Sequence, residues 1–229
     1  PGDGGFSVNS MGTFGWVYPK EENIEAAQQT WLRGHLNQFD TALYNSNWTN
    51  PTTGKHFTDY IDNHSWLRHH WLNTLAMNVD GFRLSGYYYK HHDSTNGGKV
   101  GAGPIWDFDR TMASTDGRDD NPSQWNGTGD SSKMYGDSRF PWWGRALTNP
   151  DFRQEHTDLW QELRETTFST SNINSIIDGF EAQLDFQDPA GINSGLGSSP
   201  QARNFNKWNR ARPSGGYTNQ VNVLRNWLT

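Results

Sequence analysis

The chain contains no cysteine, so it can form neither a disulfide nor a thiolate metal site. It has no apolar run near the roughly 18 residues that a membrane-spanning helix needs. It has no excess of positive charge: Lys and Arg number 19 against 25 Asp and Glu, a formal net charge of -6 with His neutral. That balance argues against a general nucleic-acid binder, whose contact face is basic. Residues of the hydrophobic set make up only 32% of the 229, and the mean hydropathy is -0.92. A signal peptide is also missing, and the chain starts at Pro1 without Met, so the expectation is a processed or excised piece of something longer.

What is present compensates for the scarce aliphatic residues. The chain has 12 Trp, 12 Phe and 8 Tyr. Each such ring buries about 150–250 Å², so an aromatic-rich core is expected in place of disorder. The abundance of Gly, Asn, Ser, Thr and Trp suits a secreted microbial protein. Asn-x-Ser/Thr triplets at Asn47, Asn63 and Asn126 matter only in a glycosylating host.

Along the chain, residues 1–18 are Gly-rich and aromatic without a helical period, and read as an extended entry segment with one strand. A helix follows, with Asn23 as its cap and Ile24, Trp31, Leu32, His35, Leu36, Phe39 and Leu43 as its apolar stripe. Residues 44–55 are a loop. A second helix is predicted from about Asn63 to Met77, capped by Asp62 or Asn63 and ended by Asn78-Val79-Asp80-Gly81. Phe82–Lys90 and Lys99–Trp106 are rich in β-formers and predict a hairpin across the polar turn 91–98. Residues 113–138 form a long polar loop, and loops of that length in compact domains are usually functional or mobile. Helices are expected over Phe152–Thr166, over Asn172–Phe186 with Asn172 as cap, and at about 201–210 and 218–228, with Gly191–Pro200 as a linker. The predicted fold is α+β and mostly helical, a single domain over 1–229 with a small β-hairpin insert.

The richest stretch is Gly103-Pro104-Ile105-Trp106-Asp107-Phe108-Asp109. In a strand, residues two apart share a face, so Asp107 and Asp109 would sit side by side and repel unless a cation lay between them. A hard divalent ion with oxygen ligands, Mg²⁺ or Ca²⁺, suits such a pair. Asp80 comes just before the hairpin, and Asp107 and Asp109 just after it, so the hairpin should bring the three carboxylates together. Arg83 and Lys90 lie on the first arm. Carboxylates that hold Mg²⁺ or orient a hydroxyl, beside cations that offset phosphate charge, are the parts of a phosphoryl-transfer site. In a protein kinase the catalytic Asp is followed five residues on by a metal-binding Asn, and here Ser85 holds that position.

The stretch NVDGFRLSGYYYK (Asn78–Lys90) followed by GPIWDFD (Gly103–Asp109) resembles the CotH kinase family, the spore-coat protein H-like atypical protein kinases. YPKEENI (Tyr18–Ile24), FTDYIDNHSWL (Phe57–Leu67), ARNFNKW (Ala202–Trp208) and VLRNWL (Val223–Leu228) agree with it, so the resemblance covers nearly the whole chain. It implies a protein-kinase-like C-lobe, with a nucleotide-binding N-lobe expected upstream. It also implies a secreted or envelope-associated enzyme that moves phosphate from ATP to a protein Ser or Thr. In that reading Asp80 is the catalytic base, Asp107 the principal metal ligand and Asp109 a second one. Arg83 and Ser85 face the nucleotide, and Mg²⁺ or Ca²⁺ and ATP are the cofactors. The implied partners are the N-lobe or another upstream segment and a secreted protein substrate or surface polymer, with no nucleic acid and no membrane span. Ser85 in place of Asn, with no N-lobe before Pro1, motivates an alternative. That alternative is a non-catalytic secreted binding or structural module, carbohydrate- or adhesion-associated, retaining a structural cation.

Each feature also has a plainer reading. Asp107 and Asp109 can be turn residues capping loop amides, Asp80 a turn residue before Gly81, and Arg83 a structural ion-pair partner. The pairs His69-His70 and His91-His92 point apart on any regular element, so core or solvated histidine is favoured over zinc. Asp116, Asp119, Asp120 and Asn121 lack EF-hand spacing and read as a solvated loop. Trp142-Trp143 reads as buried core ahead of a sugar-stacking platform.

Overall fold

A computed structural model describes residues 4–82, 84–112, 119, 121–123, 141–186, 199–208 and 215–229. Most of the predicted loop 113–138, the Asn126 triplet and most of the linker 191–200 lie outside them. Among the described residues the chain is mostly helical α+β, with seven α-helices and two small antiparallel sheets of two strands each. It divides into two compact units, Pro1–Leu159 and Trp160–Thr229.

The first unit opens with a hairpin, β1 (Gly5–Val8) and β2 (Gly12–Gly15), where the sequence predicted a single strand. Helix α1 runs Ala26–Tyr44 and is capped by Glu25, not Asn23. The Glu25 side chain accepts from the backbone of Gln28, whose own side chain accepts from the Glu25 N–H at 2.9 Å. Asn23 closes a short 3-10 turn before it. Helix α2 (Asn63–Leu75) begins as expected, with Asp62 Oδ1 accepting from Ser65 N. The predicted first hairpin arm shortens to β3 (Tyr88–Lys90), because Phe82–Tyr87 is turn, bend or irregular in its described part, and it pairs with β4 (Val100–Ala102). Helix α3 (Pro141–Ala146), which the sequence did not suggest, precedes α4 (Pro150–Glu165).

The core of this unit is aromatic, as the composition implied. Phe39, Phe57, Trp66, Trp142, Trp143 and Phe152 are all inaccessible to solvent. Trp66 packs on Trp143 with centroids 4.7 Å apart, and Phe39 meets Trp142 edge-on at 4.9 Å. Burying an indole leaves its N–H in need of an acceptor. Trp66 donates to the Val100 carbonyl at 2.9 Å, Trp142 to Asp40 Oδ1 at 2.6 Å, Trp71 to the His156 carbonyl at 2.8 Å and Trp143 to the Tyr88 hydroxyl at 3.3 Å. Burial pushes the Tyr88 phenol up to about 12, so it stays protonated. Trp31, expected in the buried stripe of α1, is instead half exposed, with the Lys90 ammonium 4.7 Å from its ring centre.

The second unit holds α5 (Thr170–Leu184), α6 (Pro200–Lys207) and α7 (Gly216–Leu228). Ser169, not Asn172, caps α5 by accepting from Asn172 N. Ile173 and Ile177 are buried, whereas Ile176, Phe180 and Leu184 of the same helix are exposed. Arg225 of α7 ties back to Asp178 and Glu181 of α5 at 2.5 and 3.0 Å.

Candidate functional site

The site is built where α2 ends. Ala76 closes the helix, Met77 turns left-handed with φ 47°, and two crossed hydrogen bonds finish it: Met77 N to Thr74 O at 3.0 Å and Asn78 N to Asn73 O at 2.9 Å. This pattern satisfies the last helical carbonyls and usually employs glycine at the left-handed position. It delivers Asn78, Val79 and Asp80 into the interior as a tight turn, all of them buried. Asn78 Oδ1 accepts from Asp80 N at 3.3 Å, and Gly81 N returns to Asn78 O at 3.2 Å. Ser85 N then donates to Asp80 O at 3.0 Å, which folds Ser85 back beneath the turn.

The second half of the site is held by β4. Val100 N donates to Tyr60 O and its carbonyl accepts from Asp62 N, both at 2.9 Å. Ala102 N donates to Ser65 Oγ at 3.2 Å, so the strand lies against the start of α2. Gly101 lies under the Tyr89 ring, and a Cβ there would fall 2.2 Å from Tyr89 Cζ and force the ring to shift. Beyond Ala102 the chain is irregular. Asp107 and Asp109 therefore do not lie at a strand end, and the alternation expected for them does not apply. Asp107 instead takes a left-handed conformation, φ 63°. Acidic residues tolerate this better than most side chains, but it still has to be held by its surroundings.

Two side chains of the Asp80 segment hold it. Ser85 Oγ donates to Asp107 Oδ2 at 3.3 Å, and Asn78 Nδ2 donates to the Asp107 carbonyl at 3.3 Å. Met112 N adds a backbone bond to Ala76 O at 3.2 Å. Arg110 Nη1 lies 3.7 Å from Asp80 Oδ2. Asp80 is buried, whereas Asp107 and Asp109 are exposed. Leu84, Ile105 and Trp106 stand out from the same two segments, with Trp106 edge-on to Tyr87 at 6.3 Å.

The structure thus brings Asp80, Ser85 and Asp107 into one network. Arg83 lies outside the described residues. Lys90 is engaged elsewhere, by the His91 carbonyl at 2.6 Å and Asp93 at 2.8 Å. Among the described residues no three His, Cys, Asp or Glu side chains gather closely enough to hold an ion, so the three aspartates do not form a closed ligand set. Sequence reasoning passed over Asn78 and Arg110. Their signal was position alone: one stands two residues before Asp80, the other three after Asp107.

A family model described as CotH kinase protein matches residues 7–229. The chain belongs to the CotH kinase protein family. Comparison with curated proteins and with solved structures gave no match. For this CotH family member the two motifs that carried the resemblance, Asn78–Lys90 and Gly103–Asp109, are the two segments that Asn78 and Ser85 join.

The donor chemistry suits a hard cation. Asp107, Ser85 and Asp109 offer only oxygen, and Asp107 and Asp109 face solvent. Mg²⁺ is commonly held by one or two carboxylates with water and substrate phosphates completing its shell.

Histidines 69 and 70 belong to the core. His70 Nδ1 and His156 Nε2 are 3.1 Å apart, and His156 stacks on Trp71 with centroids 3.9 Å apart. Burial lowers His69 and His156 to about 4 and holds His70 well below its usual value, with His156 and His69 adding to the effect.

Proposed function

We propose that this chain is the C-lobe portion of a secreted or envelope-associated atypical protein kinase, which moves phosphate from ATP to a Ser or Thr of a protein. Family membership supports the coarse reading. The observation that carries the finer one is the hydrogen-bonded junction of the Asp80 turn and the Asp107 loop through Ser85 and Asn78. A base and a cation ligand are thereby tied together within a few residues, as phosphoryl transfer requires.

In this reading Asp80 orients the substrate hydroxyl and takes its proton. Its burial limits competition from water for that contact. Asp107 holds the cation, Asp109 is proposed as a second ligand, and Ser85 fixes the Asp107 carboxylate. When bound, Mg²⁺ supplies positive charge to the phosphates. Arg110 offsets charge near Asp80. An upstream segment covers the nucleotide, and the acceptor is a secreted protein or surface polymer.

A second reading is favoured by the ion pair between Arg110 and Asp80. There the turn is structural, and the chain is a secreted binding module with one cation. Transfer of labelled γ-phosphate by the full-length protein with Mg²⁺ separates the two. The kinase reading expects label on protein, reduced at least a hundredfold in both Asp80→Asn and Asp107→Asn. No transfer, or transfer indifferent to both substitutions, would leave the binding module.

A further inference from the structure

We propose that Asn78 is the positioning residue of this site, coupling the base-bearing turn to the cation-bearing loop through its side-chain amide. The inference rests on the kinase reading for its catalytic consequence and on geometry alone for the coupling.

Asn78 is inaccessible to solvent, and all four of its polar groups are committed. The backbone N–H donates to Asn73 O at 2.9 Å and the backbone carbonyl accepts from Gly81 N at 3.2 Å. The side-chain oxygen accepts from Asp80 N at 3.3 Å, and the side-chain nitrogen donates to the Asp107 carbonyl at 3.3 Å. One planar amide therefore touches the backbone of both aspartates at once. Only a side chain with a donor and an acceptor at this short reach can do so: aspartate keeps the acceptor alone, and leucine keeps neither.

The coupling matters because Asp107 is not held by regular structure. It is exposed, lies past the end of β4 and sits at φ 63°. Ser85 restrains its carboxylate, and Asn78 restrains the backbone that carries it. Asn78 is itself fixed from behind. Asn73 of α2 donates to the His69 carbonyl at 2.8 Å, and Gly81 packs so closely on Asn73 and Asn78 that a Cβ would lie 2.2 Å from Asn73 Oδ1. The chain of contacts runs from α2 through Asn78 to Asp107, so the position of the cation ligand follows the helix.

Hydrogen–deuterium exchange on the full-length protein tests the coupling without any assumption about activity. Asn78→Asp removes the donor to Asp107 and keeps the acceptor for Asp80. Peptides covering 105–112 are expected to exchange at least tenfold faster, while peptides within α2 stay unchanged. Where that variant cannot be purified folded, Asn78→Ala removes both side-chain bonds without adding charge and carries the same comparison. Unchanged exchange at 105–112, or equal loosening of α2, overturns the coupling. Phosphoryl transfer supplies the second readout: Asn78→Asp should raise the Mg²⁺ concentration for half-maximal rate several-fold and lower kcat at least tenfold. A wild-type protein that transfers no phosphate refutes the kinase reading and leaves exchange to decide Asn78. A variant that loosens 105–112 yet keeps wild-type kcat and Mg²⁺ dependence refutes the positioning role.

Discussion

Gly81 stands against both asparagines of the site, and its missing side chain sets how closely they approach. A methyl group there would meet Asn73 Oδ1 at 2.2 Å, Asn73 Cγ at 2.8 Å and Asn78 Cγ at 3.1 Å. Gly81→Ala should therefore destabilise the protein by about 1–3 kcal/mol, the usual cost of overpacking a tight interior. Urea unfolding followed by tryptophan fluorescence measures it, and a variant as stable as wild type would show that the turn relaxes freely. At this scale the sequence was informative about residue type and poor about conformation. Asp80, Ser85 and Asp107 stood out because of their spacing. Asp107 in a left-handed turn could not be read from WDFD, since the strand that would have imposed alternation ends at Ala102. Asn78 was invisible for a related reason: its role depends on a backbone carbonyl 29 positions away.

Helix α2 links the core to the site, and both of its ends can be tested. At the start, Asp62 caps the helix and its carbonyl also accepts from Ser65 Oγ at 2.9 Å. Asp62→Ala should cost about 1 kcal/mol, read as a lowered Tm, and no change would mean that Ser65 alone suffices. Along its length, His69 and His70 face the core and His70 meets His156 of α4. These histidines are neutral in the folded state, with native values near 4 for His69 and His156 against an ordinary 6.5. Above 6.5 neither folded nor unfolded chain is protonated there, and their contribution is complete. As pH falls, the unfolded chain takes up protons that the folded core refuses, so stability drops between 6.5 and about 4. By pH 5.5 the loss should reach roughly 1 kcal/mol per histidine. Urea midpoints measured from pH 7.5 to 5.5 should fall accordingly, and a flat profile would contradict neutral burial. The periodic stripe of α1 was legible because apolar residues recur every three or four positions. The short α3 was not, since Pro141-Trp142-Trp143-Gly144 carries no period. Ile176, Phe180 and Leu184 share the apolar face of α5 by spacing, yet only Ile173 and Ile177 are covered. Periodicity names a face and does not say how much of it finds a partner.

For the whole molecule, the mostly helical fold and the aromatic core followed from composition and pattern, while the division into units at Leu159 and Trp160 falls within α4 and left no mark in the sequence. The proposed function rests on the meeting of two motifs about 25 residues apart, supported by family membership and by the junction at Asn78 and Ser85. Isothermal titration of Mg²⁺ with ATP into the full-length protein, wild type beside Asp107→Ala, tests that claim most directly. Saturable binding that needs both Mg²⁺ and ATP, weakened at least tenfold in the variant, is the expected result. No binding to the wild type, or equal binding to both proteins, would contradict it.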